Sequence, residues 1–407
     1  MKKREMKKLM CLIAVIMSAV MLFSACSEKK TENPIAVSIV IGNHECSAEL
    51  DVTNQKIQET VTLAVASFGF LSIVSVDGEP EIVAKGSCDI KEQYKNADPS
   101  KLAADATSKT LTIVNSLPDV VANDPEVDTL EAIRLAASSL SEAPDSAPKI
   151  IIVMDTGLCT TGLLDYHNNL LNADPKAVVD ALEEKKAIPK LNGMEVRWFY
   201  MGEVSYPQEK LSPKQKAQLA EVWKGIIERG GGTFVHEEMP SVGKDIDREL
   251  PSVSPIDIEK EQSVSFDSAM LDGESNPFAE PTFLREEQVR FVADSDEYVD
   301  SDAVASTILP IAEYMNQHPD FQLLLIGTTA GDGASDYAIS LSNSRANAVK
   351  KTLISQGVLA DRIYTLGMGG TDPWHIYNVG TSGELAAQNR KVVLLDASSQ
   401  LAKELMQ

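Results

Sequence analysis

The feature that most constrains the fold is the alternation of short β-branched runs with longer stretches of helical periodicity. Ile35-Ala36-Val37-Ser38-Ile39-Val40-Ile41 is apolar almost throughout, as expected of a strand covered on both faces. Helical content over 59–68 follows, then 70–76 and 81–84 read as a hairpin about Asp77-Gly78. The pattern then predicts a helix over 129–141, a buried strand over 149–154, a helix over 175–185 and a strand over 195–201. A helix over 213–229 is stopped by Gly230-Gly231-Gly232, and 233–236 is a last short strand. This order predicts an α/β fold, with a mostly parallel, doubly wound sheet between helix layers across residues 35–238. Sheets of that kind bind at the carboxyl ends of their strands, near the topological switch point.

Between 239 and 285 the character changes. Pro240, Pro251, Pro255, Pro277 and Pro281 punctuate an acidic stretch that reads as a semi-extended linker, with 264–270 as a candidate strand inside it. Regular patterning resumes at Gln288, with a short strand over 289–292. An amphipathic helix over 302–317 turns Val304, Ile308, Ile311 and Met315 inward. A buried strand over 321–327 and a long helix over 334–356, ended by Gly357, follow; Arg345 and Lys350-Lys351 are expected on that helix's surface. Strands over 363–366 and 391–395 complete a second α/β sandwich, leaving 398–407 as a tail.

Charge narrows the function classes. Lys and Arg number 37 against 60 Asp and Glu, a net −23, which excludes the basic patch of a nucleic-acid binder or a polybasic membrane-surface protein. The exception is the first segment, where Lys2, Lys3, Arg4, Lys7 and Lys8 precede an apolar run over 9–23 and then Ser24-Ala25-Cys26. A basic region, an apolar core and small residues before a cut site read as an export signal. Leu22-Phe23-Ser24-Ala25-Cys26 resembles the lipobox of bacterial lipoproteins. That resemblance implies a signal peptide over 1–25 and acyl chains such as palmitate on Cys26. Residues 26–34 would then be a tether. Anchoring follows from the lipid, since two or more chains at about 0.8 kcal/mol per buried methylene hold firmly. The remainder is expected outside the cytoplasm, facing cell wall or periplasm.

The first α/β region, with Asp155 after its fourth strand and Thr129 opening the preceding helix, resembles a von Willebrand factor A domain in layout. In that family a divalent cation sits on an Asp-x-Ser-x-Ser loop after the first strand, helped by a Thr and an Asp. Thr129 and Asp155 match the latter two. The first loop reads Gly42-Asn43-His44-Glu45-Cys46-Ser47 and lacks the leading Asp. One carboxylate with scattered hydroxyls is a poor cage for Mg²⁺. The plainer expectation is a scaffold without cofactor that presents itself to an unidentified envelope protein. The same topology implies that Cys46 and Cys159 follow neighbouring strands, where a disulfide would occupy the cation's usual place.

The second sandwich is similar to the OmpA-like peptidoglycan-binding domain. The resemblance rests on Ile326-Gly327-Thr328-Thr329, Leu341-Ser342, Ser344-Arg345-Ala346, Gly367-Met368-Gly369-Gly370 and Asn389-Arg390-Lys391-Val392, in order across about 286–397. It implies binding of the diaminopimelate of a peptidoglycan stem peptide through one Asp and one Arg. That chemistry is sound, because a ligand end with an ammonium and a carboxylate needs an acid and a guanidinium together. The Arg falls on Arg345. The Asp belongs at position 330, where this chain has Ala330, which weakens the grip; Asp332, two residues on, is the candidate replacement, with Thr329 beside it.

No catalytic constellation is present, since the five His are scattered without paired ligand spacing and no phosphate loop or Gly-x-Ser-x-Gly elbow occurs. The expectation is a lipid-anchored envelope protein, not an enzyme, that ties membrane to peptidoglycan. The alternative is an assembly or adaptor protein whose degenerate OmpA-like domain binds protein.

Overall fold

Strand β1 (Ala36–Ile41) is buried at all six positions because it pairs in parallel with a strand on either side. The computed structural model describes residues 34–52, 54–88, 98–237, 249–258, 264–272 and 276–407, so the signal segment and Cys26 lie outside the described residues. The chain divides into two compact units. One is built from the described residues within Met1–Thr156, Pro189–Met201 and Gly230–Ser252. The other comprises those within Gly157–Ile188, Gly202–Arg229 and Val253–Gln407.

In the first unit β1 leads to α1 (Gln55–Ala66), whose N-cap Asn54 accepts from the amides of Lys56 and Ile57. Its Ile57, Val61, Ala64 and Val65 are buried, a stripe at helical spacing. Strands β2 (Phe70–Ser75) and β3 (Glu81–Ser87) form the expected antiparallel hairpin. Helix α2 (Pro99–Ser116) was not foreseen from the pattern, since its Ala, Ser and Thr content gives little contrast; the Asp98 cap and Pro99 were its only local signal. Helix α3 (Thr129–Leu140) and strands β4 (Lys149–Met154), β5 (Met194–Phe199) and β6 (Thr233–Glu237) complete the unit. Among the described residues the sheet order is β3-β2-β1-β4-β5-β6, parallel except for β3. Its core gathers Val37, Ile39, Ile41, Ile57, Val61, Ile152 and Phe199. Strand order reverses between β1 and β4, so the loops leaving their carboxyl ends flank the switch point.

The second unit holds α4 (Pro175–Glu184), α5 (Pro213–Arg229) and a sheet of five described strands. These are β7 (Val264–Ser265), β8 (Thr282–Arg285), β9 (Leu323–Gly327), β10 (Ile363–Gly367) and β11 (Lys391–Asp396), in the order β10-β9-β11-β8-β7. Helices α6 (Ser301–Gln317) and α7 (Asp336–Ser355) share one core with Leu323, Leu325, Val392 and Leu394. The alternate residues Leu324, Ile326, Val393 and Leu395 pack with Phe283 and Trp374 in another, as the period of two in a strand requires. Short helices α8 (Glu384–Asn389) and α9 (Gln400–Leu405) follow β10 and β11. Gly327 is obligatory at the end of β9, because a Cβ there would lie 1.9 Å from the Ser342 carbonyl oxygen of α7.

Three expectations are corrected. The predicted strand 289–292 belongs to a loop that an isolated bridge between Phe291 and Tyr298 helps to close. The ordered strand of this region is instead β8, an interior strand between β11 and β7, and it lies within the stretch read as linker. There Thr282, Phe283 and Leu284 are buried, Pro281 standing just ahead of the strand where its missing N–H costs no ladder bond. Nor is Arg345 a surface residue of its helix; it is buried.

Candidate functional site

At the switch point of the first unit, Thr129 and Asp155 do come together. The Thr129 hydroxyl donates to Asp155 Oδ2 at 2.7 Å. The other carboxylate oxygen, Oδ1, is met by His44 Nε2 at 2.9 Å, and all three residues are buried. His44 Nδ1 lies 2.5 Å from the Glu45 carbonyl oxygen, so both ring nitrogens face acceptors and both must donate. The ring is therefore an imidazolium paired with a carboxylate. Burial works to lower its pKa, but the hydrogen bond and charge of Asp155 outweigh it and hold His44 above its ordinary value. Gly42 makes room for this arrangement, as a Cβ there would sit 1.8 Å from Asp155 Oδ1.

That donor set does not fit Mg²⁺, which wants oxygens in near-octahedral array. Both Asp155 oxygens are engaged, and the nearest basic group is an imidazolium, a like charge to any cation. Among the described residues no group of three or more His, Cys, Asp or Glu is placed to hold a metal ion. The Cys46–Cys159 disulfide is not formed either. Both residues are buried thiols.

The second unit carries a cleft of about 720 Å³, and Thr329, Ala330, Asp332 and Arg345 all line it. The β9–α7 loop supplies the first three. Its start is pinned by the Thr329 amide donating to the Gly369 carbonyl at 2.8 Å and by the Thr328 hydroxyl donating to the Asn389 carbonyl. Arg345 reaches the cleft from α7. Its Nε donates to the Ser295 carbonyl at 3.0 Å and its Nη2 to that of Val292 at 3.5 Å. The guanidinium lies 5.2 Å from the Phe291 ring centroid. Burial lowers the Arg345 pKa from its usual value, opposed by the charge of Asp294.

Asp332 is held rather than mobile: Oδ1 is 2.9 Å from His375 Nε2 and Oδ2 accepts the Asn378 amide at 3.2 Å. Behind it lies a buried polar network that sequence reasoning missed. In the loop after Gly370, Trp374 is 2% exposed and His375 not at all. His375 Nδ1 stands 3.7 Å from Asp372 Oδ2, and Lys391 Nζ is 3.2 Å from Asp372 Oδ1. Burial pushes Asp372 up, but the Lys391 ammonium beside it leaves the carboxyl below its ordinary range. Burial pulls Lys391 below the usual lysine value, with Asp372 working against it. A faint signal existed: a Lys opening a strand as apolar as Lys391–Asp396 needs a buried counter-charge.

Comparisons place one part of the chain among known proteins. The periplasmic domain of Helicobacter pylori MotB resembles it at 20% identity, covering 32% of this chain and 92% of that chain, with a TM-score of 0.25. The peptidoglycan-associated lipoprotein from Burkholderia pseudomallei resembles it at 29% identity over 26% of this chain and 86% of that chain, with a TM-score of 0.23. The probable lipoprotein YiaD of Escherichia coli (strain K12) is 37% identical over 90 residues, which is 22% of this chain. The match spans only 40% of that relative's length. Residues 294–386, which contain the β9–α7 loop, Arg345 and most of the cleft, match the OmpA family.

Proposed function

We propose that this protein is a lipid-anchored component of a bacterial cell envelope that holds peptidoglycan in its C-terminal cleft. The observation that carries the reading is the OmpA family match over residues 294–386, on a cleft where Arg345, Asp332 and Thr329 stand together. The ligand group is the ammonium-and-carboxylate end of a diaminopimelate stem peptide, with Arg345 on the carboxylate and an acid of the cleft on the ammonium. Export and acylation at Cys26 supply the membrane end, in keeping with a relative that is itself described as a probable lipoprotein. The described residues include no helix long and apolar enough to cross a membrane. In this reading the first unit, von Willebrand A-like in layout, is a non-catalytic module that offers its strand ends to a protein partner without a metal.

Ala330 favours a second reading, in which the OmpA-like fold is kept for contact with another envelope protein. Co-sedimentation of the full chain with diaminopimelate-containing sacculi separates the two. The wall-binding reading expects the wild type to pellet and Arg345→Ala to lose about tenfold or more in affinity, the worth of a bond to a charged group. A wild type left in the supernatant, or pelleting indifferent to Arg345, supports the adaptor.

A further inference from the structure

We infer that Asp294 supplies the carboxylate that position 330 lacks, so that the acid arm of the cleft comes from the loop before α6 and not from the β9–α7 loop. This rests on the wall-binding reading above. Residues 290–299 fold back on themselves: the Val292 amide donates to the Glu297 carbonyl at 2.8 Å and the Val299 amide to that of Arg290 at 2.9 Å. The rings of Phe291 and Tyr298 close the base at 5.1 Å. At the tip, the Ser295 amide bonds the Val292 carbonyl at 3.1 Å, and Asp294 has a φ of 53°. Asp tolerates left-handed backbone better than most residues, and its surroundings select it here.

The surroundings that impose it are on α7. Arg345 bonds the carbonyls of Val292 and Ser295, on either side of Asp294. Tyr337, about two turns earlier on the same helix, lines the same cleft as Asp294, its phenol held above the usual value by burial and by the Asp294 charge. The residue expected to grip the ligand's carboxylate thus also sets the turn that presents an acid to the same cleft. Asp294, Ala330, Asp332 and Arg345 all line that cleft.

Of the three acids lining the cleft, Glu286 is paired with Arg390, and Asp332 gives one oxygen to His375 and the other to the Asn378 amide. Asp294 lines the cleft beside the Tyr337 phenol, and a carboxylate has about four acceptor positions, so it retains capacity for an ammonium. The ligand class is accordingly an amino-acid head, its ammonium on Asp294 and its carboxylate on Arg345. Ala330 lines the same cleft with only a methyl group at the position where an acid is expected.

The test is sedimentation of the full chain with diaminopimelate-containing sacculi, comparing wild type, Asp294→Asn, Asp332→Asn and the double variant Asp294→Asn/Ala330→Asp. Asn keeps the shape of Asp294 and removes its charge. The expected result is a fall of about tenfold or more for Asp294→Asn, a smaller one for Asp332→Asn, and recovery in the double variant. Recovery shows that charge, not folding, was lost. Asp294→Asn binding as tightly as a binding wild type overturns the assignment and leaves the wall-binding reading standing. A wild type that does not bind overturns both.

Discussion

At the scale of single residues, the polar groups of this molecule are paired by charge in places where their sequence neighbours give no warning. His44 is the sharpest case. As an imidazolium between Asp155 and the Glu45 carbonyl it supplies the positive charge that a buried carboxylate needs. Removing it strands Asp155, so His44→Ala is expected to destabilise the first unit by about 3–5 kcal/mol, read from the urea midpoint of that unit's transition. The pH dependence follows from the raised pKa. The stabilisation is fully present below the unfolded value of about 6.5 and is lost as pH rises through the higher folded value. A His44 ring resonance titrating at or below about 6.5 contradicts the pairing. Thr129 and Asp155 were legible as partners from the layout of strand and helix. His44 was not, because its role depends on a contact 111 positions away that only the sheet register creates.

At the scale of elements, the legible parts were those with strong contrast between apolar and polar positions. Strand β1, strand β4 and helix α6, with Val304, Ile308, Ile311 and Met315 inward, follow their periodicity closely. Strand β8 was hidden because only four residues separate Pro281 from a polar stretch, too few to show a period. Helix ends also depend on long-range groups. The Arg362 guanidinium donates to the carbonyls of Met315, His318 and Phe321, at and beyond the end of α6. It satisfies acceptors left over at a helix C-terminus, where positive charge is also favoured by the dipole. Arg362→Ala is expected to cost the second unit about 2–3 kcal/mol, seen as a lowered urea midpoint, with no change in wall binding under native conditions. A variant as stable as wild type would show those carbonyls to be solvated without it.

At the scale of the whole molecule, charge and attachment are separated along the chain. The first 25 residues carry five of the bases and one acid, so the strong acidity belongs to the remainder. An acidic body is repelled by anionic headgroups, which leaves lipid on Cys26 and the C-terminal cleft as the proposed means of attachment. The cleft was readable as a motif order, but its working acid was not. Position 330 carries Ala where an acid is expected, and Asp294, proposed to replace it, lies 36 positions earlier, just beyond a stretch read as a strand.

The central claim is that the cleft recognises an amino-acid head bearing both ammonium and carboxylate. The most direct measurement is sedimentation of the full chain with sacculi whose stem peptides carry diaminopimelate, against sacculi that carry lysine at the same place. Lysine has the ammonium without the second carboxylate. The account predicts pelleting with the first, release by free diaminopimelate, and little pelleting with the second; equal pelleting with both, undisturbed by free diaminopimelate, would contradict it.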